Sequence, residues 1–338
     1  MPYKRILISR TDGIGDVILA LPVAGVLKKL YPHAQVLFLG RNYTKPVIDA
    51  CVHVDEFFAW DDIEKHSNEA LRIHALKKIK ADVIIHVFPR KIIADLAKKA
   101  QIPLRVGTSS RFYHWLSCNR IIKLSRKSSP HHEAQLNLKL LYSLGTKKRY
   151  EKEEIPRFYG LKRIEKLNPE HKNLLDRKKF NLIIHPKSKG SAREWGMKNF
   201  SELIKIIPEE KIKIFISGTE EELHQVNPYI VDPFQRVTAL PGNMPLGQLI
   251  SFIAASDGVL AASTGPLHIA AALGKFAVGL YAPMRPIHPG RWAPLGLHAS
   301  FLVKDKTCNK CRKTKRCECI ESITPETVKQ KLLHIAEI

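Results

Sequence analysis

Short runs of β-branched and aliphatic residues recur along this chain, each followed by a longer stretch with helical spacing. That alternation restricts the fold severely, because parallel strands need long crossover connections and such crossovers are usually helices. Residues 4–9, 36–39, 54–58, 82–87 and 103–107 read as strands. Between them, 16–30 places Val17, Leu21, Ala24 and Leu27 on one helical face, and 70–79 and 91–99 continue the helical pattern. From 147 to 179 the pattern dissolves into charges and prolines. It resumes with strands expected at 180–184, 213–217, 258–261 and 277–281 and helices at 199–207, 246–255 and 266–273; Thr324 is placed to cap a closing helix over 325–336. A chain of 338 residues exceeds what one hydrophobic core usually serves. The expectation is two doubly wound α/β domains facing a cleft: 1–155, 156–322, and a closing C-terminal helix at 323–338.

Composition narrows the setting. Hydrophobic content of 44% with 26% charged residues excludes a largely disordered chain. The apolar stretch at 17–27 is about half of the ~20 residues a membrane span needs, and Pro22 interrupts it. The first residues lack a charged region followed by a long apolar run, so a cytoplasmic location is expected. The formal net charge is +23, and it is uneven: 14 basic and two acidic residues, Asp95 and Glu133, lie between His86 and Arg149. A field of that sign suits phosphate-bearing partners, whether nucleic acid, anionic membrane or acidic glycolipid.

Ligands of doubly wound sheets bind outside the carboxyl ends of the strands, so the strand-to-helix loops are the places to search. The first reads Arg10-Thr11-Asp12-Gly13-Ile14-Gly15-Asp16. It begins like a dinucleotide fingerprint, but Ile18 stands where the third glycine belongs. Asp16 reads equally as a carboxylate favoured by a helix dipole or as a general base at the ligand edge. The loop from His185 to Trp195 gathers Lys187, Ser188, Lys189, Gly190 and Arg193, the donors and cations of an anion site. Next, Gly218-Thr219-Glu220-Glu221-Glu222 offers carboxylates that could accept from a ribose diol or simply open a helix. Finally, Ser263-Thr264-Gly265-Pro266-Leu267-His268 presents further donors suited to a diphosphate.

These loops together resemble the ADP-heptose:lipopolysaccharide heptosyltransferase family, glycosyltransferases of the two-domain GT-B architecture. The resemblance rests on Ile8 to Val17 with Leu21-Pro22, on the His185–Trp195 loop, and on Ser263 to His268 followed by Ala270-Ala271-Ala272-Leu273-Gly274. It implies inverting transfer of a heptose or related sugar from a nucleotide diphosphate donor, ADP-heptose first, to a lipopolysaccharide core or similar acidic glycolipid. By the same resemblance Asp16 is the base, and Arg10, Thr11, Asp12, Gly13 and Gly15 lie on the acceptor side. Lys187, Ser188, Lys189, Arg193, Thr264, Gly265 and His268 face the donor phosphates. Gly218 with Glu221 or Glu222 serves the nucleotide. Ser263 stands where the family often has an acidic residue on the donor-sugar side, and Arg193 stands where it usually has Lys, exchanging a point charge for a planar fork.

No Asp-x-Asp cation site is visible, so cationic side chains are expected to stabilise the leaving group without a cofactor. Cys308, Cys311, Cys317 and Cys319 form a separate cluster, readable as a structural zinc or iron site or as four reduced thiols; Cys-x-Cys is tighter than usual zinc spacing. The basic tract suits peripheral attachment at the cytoplasmic face of the inner membrane. A two-domain sugar-nucleotide epimerase would leave that tract unexplained. A nucleic-acid-binding protein would need aromatics interleaved with the cations, and only Phe112, Tyr113 and Trp115 cluster locally, so no nucleic acid is expected.

Overall fold

The computed structural model describes residues 3–126, 129–230, 236–285, 287–304, 308 and 316–336. The chain divides into two compact units, Met1–Arg163 and Ile164–Ile338. The first contains strands β1 (Arg5–Ser9), β2 (Gln35–Gly40), β3 (Glu56–Ala59), β4 (Val83–His86), β5 (Leu104–Thr108) and β6 (Arg120–Ile122). They form one sheet in the order β3-β2-β1-β4-β5-β6, and every pairing is parallel. Helices cover both faces, which is why Ile6, Leu7 and Ile8 are all fully buried instead of alternating. On one face Leu7, Leu37, Leu39 and Ile84 pack with Trp60, Ile93 and Leu96.

The second unit repeats this plan. Its strands are β7 (Phe180–His185), β8 (Ile212–Ile216), β9 (Val237–Ala239), β10 (Gly258–Ala262), β11 (Phe276–Tyr281) and β12 (Ala299–Val303). The order β12-β11-β10-β7-β8-β9 is again wholly parallel. Renumbered from its own first strand, each sheet runs 3-2-1-4-5-6, with a switch point between β1 and β4 or between β7 and β10. Ligand-binding crevices open at such points, beyond the strands' carboxyl ends.

Two boundaries differ from expectation. The helix anticipated over 16–30 is broken into Ile14–Ile18 and Leu21–Leu30. Pro22 is the cause: lacking an N–H and crowding the carbonyl four residues earlier, it fits only the first turn of a new helix. The unit boundary falls after Arg163, not after residue 155. Leu161 bridges back to Cys51, the Arg163 guanidinium donates to the Val54 carbonyl at 2.7 Å, and a Cβ at Gly25 would overlap the Phe158 carbonyl. Those contacts hold 156–163 against the first unit. The closing helix, Pro325–Ile335, is part of the second unit's core: Val328 and Leu332 pack with Leu203 and Trp195, and Thr324 caps it by accepting from the Thr327 N–H.

Candidate functional site

At the first unit's switch point the loop after β1 closes around one buried cation. The Arg10 side chain is only 3% exposed. Its guanidinium donates to Asp12 Oδ1 (2.8 Å), to Glu133 Oε1 (3.1 Å) and to Asp16 Oδ1. Burial works against the charge, yet the three carboxylates raise the Arg10 pKa above its ordinary value. Asp16 occupies the first turn of helix Ile14–Ile18 with its side chain 29% exposed, so one oxygen is tied down while the group still meets solvent. Gly13 supports this: a Cβ there would come within 3.4 Å of Asp16 Oδ2. Asp12 is pushed up to about 6 by burial, against the opposing pull of Arg10. Thr11 is buried, and its Oγ1 has no hydrogen-bond partner among the described residues. Arg10, Thr11, Asp12, Gly13, Gly15 and Asp16 are thus gathered at one edge.

Two members of this network escaped the sequence reading. Glu133, 1% exposed at its side chain, also accepts from Arg126 Nε at 2.8 Å. Arg126 in turn donates to the Val87 carbonyl in the loop after β4, and to Asn137 Oδ1, both at 2.9 Å. A buried charge survives only when paired. A signal was present: Glu133 is one of two carboxylates in a tract of 14 cations.

In the second unit the loop after β7 is anchored by Trp195, fully buried, whose Nε1 donates to the Ile323 carbonyl at 2.8 Å. Lys189 and Gly190 form a tight turn with φ +48° and +79°, and the Ser191 N–H returns to the Ser188 carbonyl at 2.9 Å. The turn sends Lys189 into solvent. Glu194 lies inside the loop and accepts from Lys187 Nζ (2.9 Å), the Ser188 N–H (2.9 Å) and Ser188 Oγ (3.1 Å). The donors anticipated for a phosphate therefore hold an internal carboxylate here. Lys187, Ser188 and Arg193 line a cavity of about 1120 Å³ with Trp195, Asn199 and Tyr229.

Thr264, Gly265 and His268 are not among that cavity's walls. Thr264 is the N-cap of helix Gly265–Ala272, directly after β10 at the switch point. Its hydroxyl makes no cap bond; Oγ1 is buried without a partner among the described residues. His268 lies buried in the first turn of the same helix. Ser263 hydrogen-bonds the Tyr281 hydroxyl, which itself donates to the Trp292 carbonyl at 2.5 Å. Beside it, His185 Nδ1 contacts Ser217 Oγ at 2.9 Å, and burial lowers the His185 pKa. Of the two candidate ribose carboxylates, Glu222 is buried beside Gly218 and accepts from the Thr219 N–H at 2.9 Å, whereas Glu221 points to solvent.

Cys311 lies outside the described residues, so the four-cysteine cluster is seen only through Cys308, Cys317 and Cys319, which pack with the second unit's core. Among the described residues no group of three metal-ligating side chains converges, and no helix is long and apolar enough to cross a membrane.

Comparison with known proteins gives the family and the fold. A family model described as glycosyltransferase family 9 (heptosyltransferase) matches residues 71–321. The lipopolysaccharide core heptosyltransferase OpsX of Haemophilus influenzae is 24% identical over 294 residues, 84% of this chain and 80% of that protein. A family 9 glycosyltransferase from Veillonella parvula superposes with a TM-score of 0.79 at 20% identity, covering 100% of this chain and 99% of that one. The Escherichia coli heptosyltransferase WaaC, solved with ADP, gives 0.73 at 16% identity, covering 98% and 99%. The solved structures share the GT-B fold of two parallel six-stranded α/β units.

Proposed function

The chain belongs to glycosyltransferase family 9, and on that premise we propose that it is an inverting heptosyltransferase. It takes a heptose from ADP-heptose and passes it to a hydroxyl of a lipopolysaccharide inner core or a similar acidic glycolipid. The relatives' names and the ADP held by WaaC support this choice of donor and acceptor.

The observation that carries the reading is Thr264: a buried hydroxyl with no partner among the described residues, at the N-terminus of an eight-residue helix, on the switch point of the second sheet. A helix start favours negative charge, and an unspent donor there suits a phosphate oxygen. Charge grows on the nucleoside diphosphate as the glycosidic bond breaks, so preorganised donors act most strongly in the transition state; losing one typically costs about 10²–10³ in rate. Thr264, the Gly265 N–H, His268 and Arg193 take this role, with Lys187, Ser188 and Lys189 supplying positive field and donors from the neighbouring loop. Glu222 with Gly218 holds the ribose, and Ser263 borders the donor sugar. In the first unit Asp16 accepts the proton of the attacking hydroxyl while Arg10 fixes the carboxylate's orientation. A positioned base adds roughly 10²–10⁴. Thr11, Asp12, Gly13 and Gly15 shape the acceptor edge.

Transfer needs no divalent cation in this reading. EDTA is expected to leave turnover intact; loss restored by magnesium would overturn that. If the cysteine cluster holds zinc or iron, it does so structurally, and metal analysis of anaerobically purified protein decides between metal and thiols. Attachment to the cytoplasmic membrane face is peripheral, and the basic tract draws the protein to anionic lipid. The decisive experiment measures ADP binding and heptose transfer for Thr264→Val: both are expected to weaken, transfer by about 10²-fold or more. Unchanged ADP affinity would remove the donor site from this helix.

A further inference from the structure

The helix Phe112–Ser117, between β5 and β6, is turned opposite to most surface helices. Tyr113, His114 and Ser117 face inward: His114 is fully buried with its ring 5.5 Å from that of His86, and the Tyr113 hydroxyl donates to the Pro89 carbonyl at 2.8 Å. Phe112, Trp115 and Leu116 face outward at 78%, 60% and 61% exposure. Their i, i+3, i+4 spacing puts all three on one stripe. Exposed apolar side chains are ordinary when scattered; three large ones on six residues form a patch and mark an interaction surface.

The surroundings select the partner. Arg111 precedes the helix, and Lys98 and Arg105 donate to the carbonyls of Leu116 and Ser117 at 2.9 and 2.8 Å. Lys91, Arg120 and Lys123 are exposed nearby in sequence. Between residues 90 and 126 there are nine Lys and Arg and one carboxylate, Asp95. A stripe of Phe, Trp and Leu set in cations suits the boundary of an anionic bilayer, where apolar side chains enter the acyl region and the cations meet headgroups. Trp adds a polar handle, its Nε1 already donating to the Ser109 carbonyl at 3.2 Å. The helix also starts at the sheet edge that carries Asp16, since Tyr113 is tied to the loop after β4 and Arg126 and Glu133 link that loop to Arg10.

We infer that Phe112, Trp115 and Leu116 are a membrane-inserting wedge that docks the first unit on anionic lipid, with its acceptor edge at the bilayer surface. This deepens the glycolipid-transferase reading and rests on it for the purpose of docking, not for the docking itself. Lipid contact alone holds the protein weakly and reversibly, as suits an enzyme that must leave each acceptor.

The test uses the full chain and vesicles of phosphatidylcholine with or without phosphatidylglycerol. Wild type is expected to float with the anionic vesicles only. Phe112→Ser/Trp115→Ser/Leu116→Ser, which alters exposed positions, is expected to lose about tenfold or more in partitioning. Trp60 and Trp195 are fully buried and Trp292 is half-buried in the second unit, so a Trp115→Phe control assigns the signal: anionic vesicles should shift wild-type emission to the blue, and Trp115→Phe should abolish the shift while still floating. Flotation of the triple variant equal to wild type would overturn the wedge in favour of charge alone. A wild-type dimer that the triple variant turns into monomer would reassign the patch to self-association and overturn it too. Transfer to a soluble, delipidated core oligosaccharide separates the two readings: the triple variant should keep it, and its absence in wild type would count against the transferase reading while leaving vesicle binding intact.

Discussion

Arg10 grips one oxygen of Asp16 and leaves the carboxylate 29% exposed. A structural strut would be buried and closed on both oxygens; a base needs a fixed position and one open face. Asp16→Ala is therefore expected to lower transfer by about 10²–10⁴ while ADP affinity stays within about twofold. Single-turnover kinetics beside ADP calorimetry check this. A parallel fall in ADP affinity and melting temperature would make Asp16 a scaffold residue.

The pH profile should carry the signature of Asp12. Burial lifts its pKa from 3.8 to about 6, so it takes up a proton as pH falls through about 6. Arg10 then turns its charge more fully on Asp16 and Glu133, making Asp16 a weaker base, and transfer should decline on the acid side of about 6. Asp12→Asn should reproduce the slow, protonated state at every pH and erase that limb. Stability has its own sign: the fold binds this proton more tightly than the unfolded chain does. The contribution is full below 3.8 and is lost as pH rises through about 6.

Glu194 predicts an unusual gain. It competes for Lys187 and for both Ser188 donors, the groups proposed to face the donor phosphates. Glu194→Gln removes that charge with little change in shape. ADP affinity is expected to rise about threefold to tenfold, in keeping with one hydrogen-bonded charge contact. Weaker binding in the variant would show that the carboxylate orders the loop.

His86 and His114 predict acid sensitivity. Burial, with the neighbouring ring and Arg105, lowers His86 to about 3; burial likewise lowers His114 to about 4. Both stay neutral in the fold while the unfolded chain protonates near 6.5. Their contribution is full above 6.5 and drains as pH falls toward the folded values. Neither ring nitrogen of His86 has a partner among the described residues, so His86→Leu should cost little at pH 7 and flatten the loss of melting temperature below 6.5.

The alternation of strand and helix made most of both sheets legible, because strands such as Phe276–Tyr281 are buried on both faces and read as unbroken apolar runs. The edge strand Arg120–Ile122 has only two apolar residues, and Ala299–Val303, though mostly apolar, is only half-buried and has Ser300 within it; both emerge only from pairing with β5 and β11. The loops that gather Asp16, Ser188 and Thr264 were recognisable from composition. Their internal wiring was not. Glu133 lies 123 positions from Arg10 in sequence, so no local pattern could disclose the pair. Glu194, only six positions from Ser188, looked like one more charged residue until its hydrogen bonds were seen.

Glu133 joins three separated stretches of chain through two arginines, with almost no exposure to water. Such a knot has no room for gradual adjustment: shortening or neutralising any one member unseats the others together. Relatives that accept a different sugar would therefore be expected to keep this inner lock and to differ around its rim, at exposed positions such as Tyr43, which touches the Asp12 backbone without entering the knot.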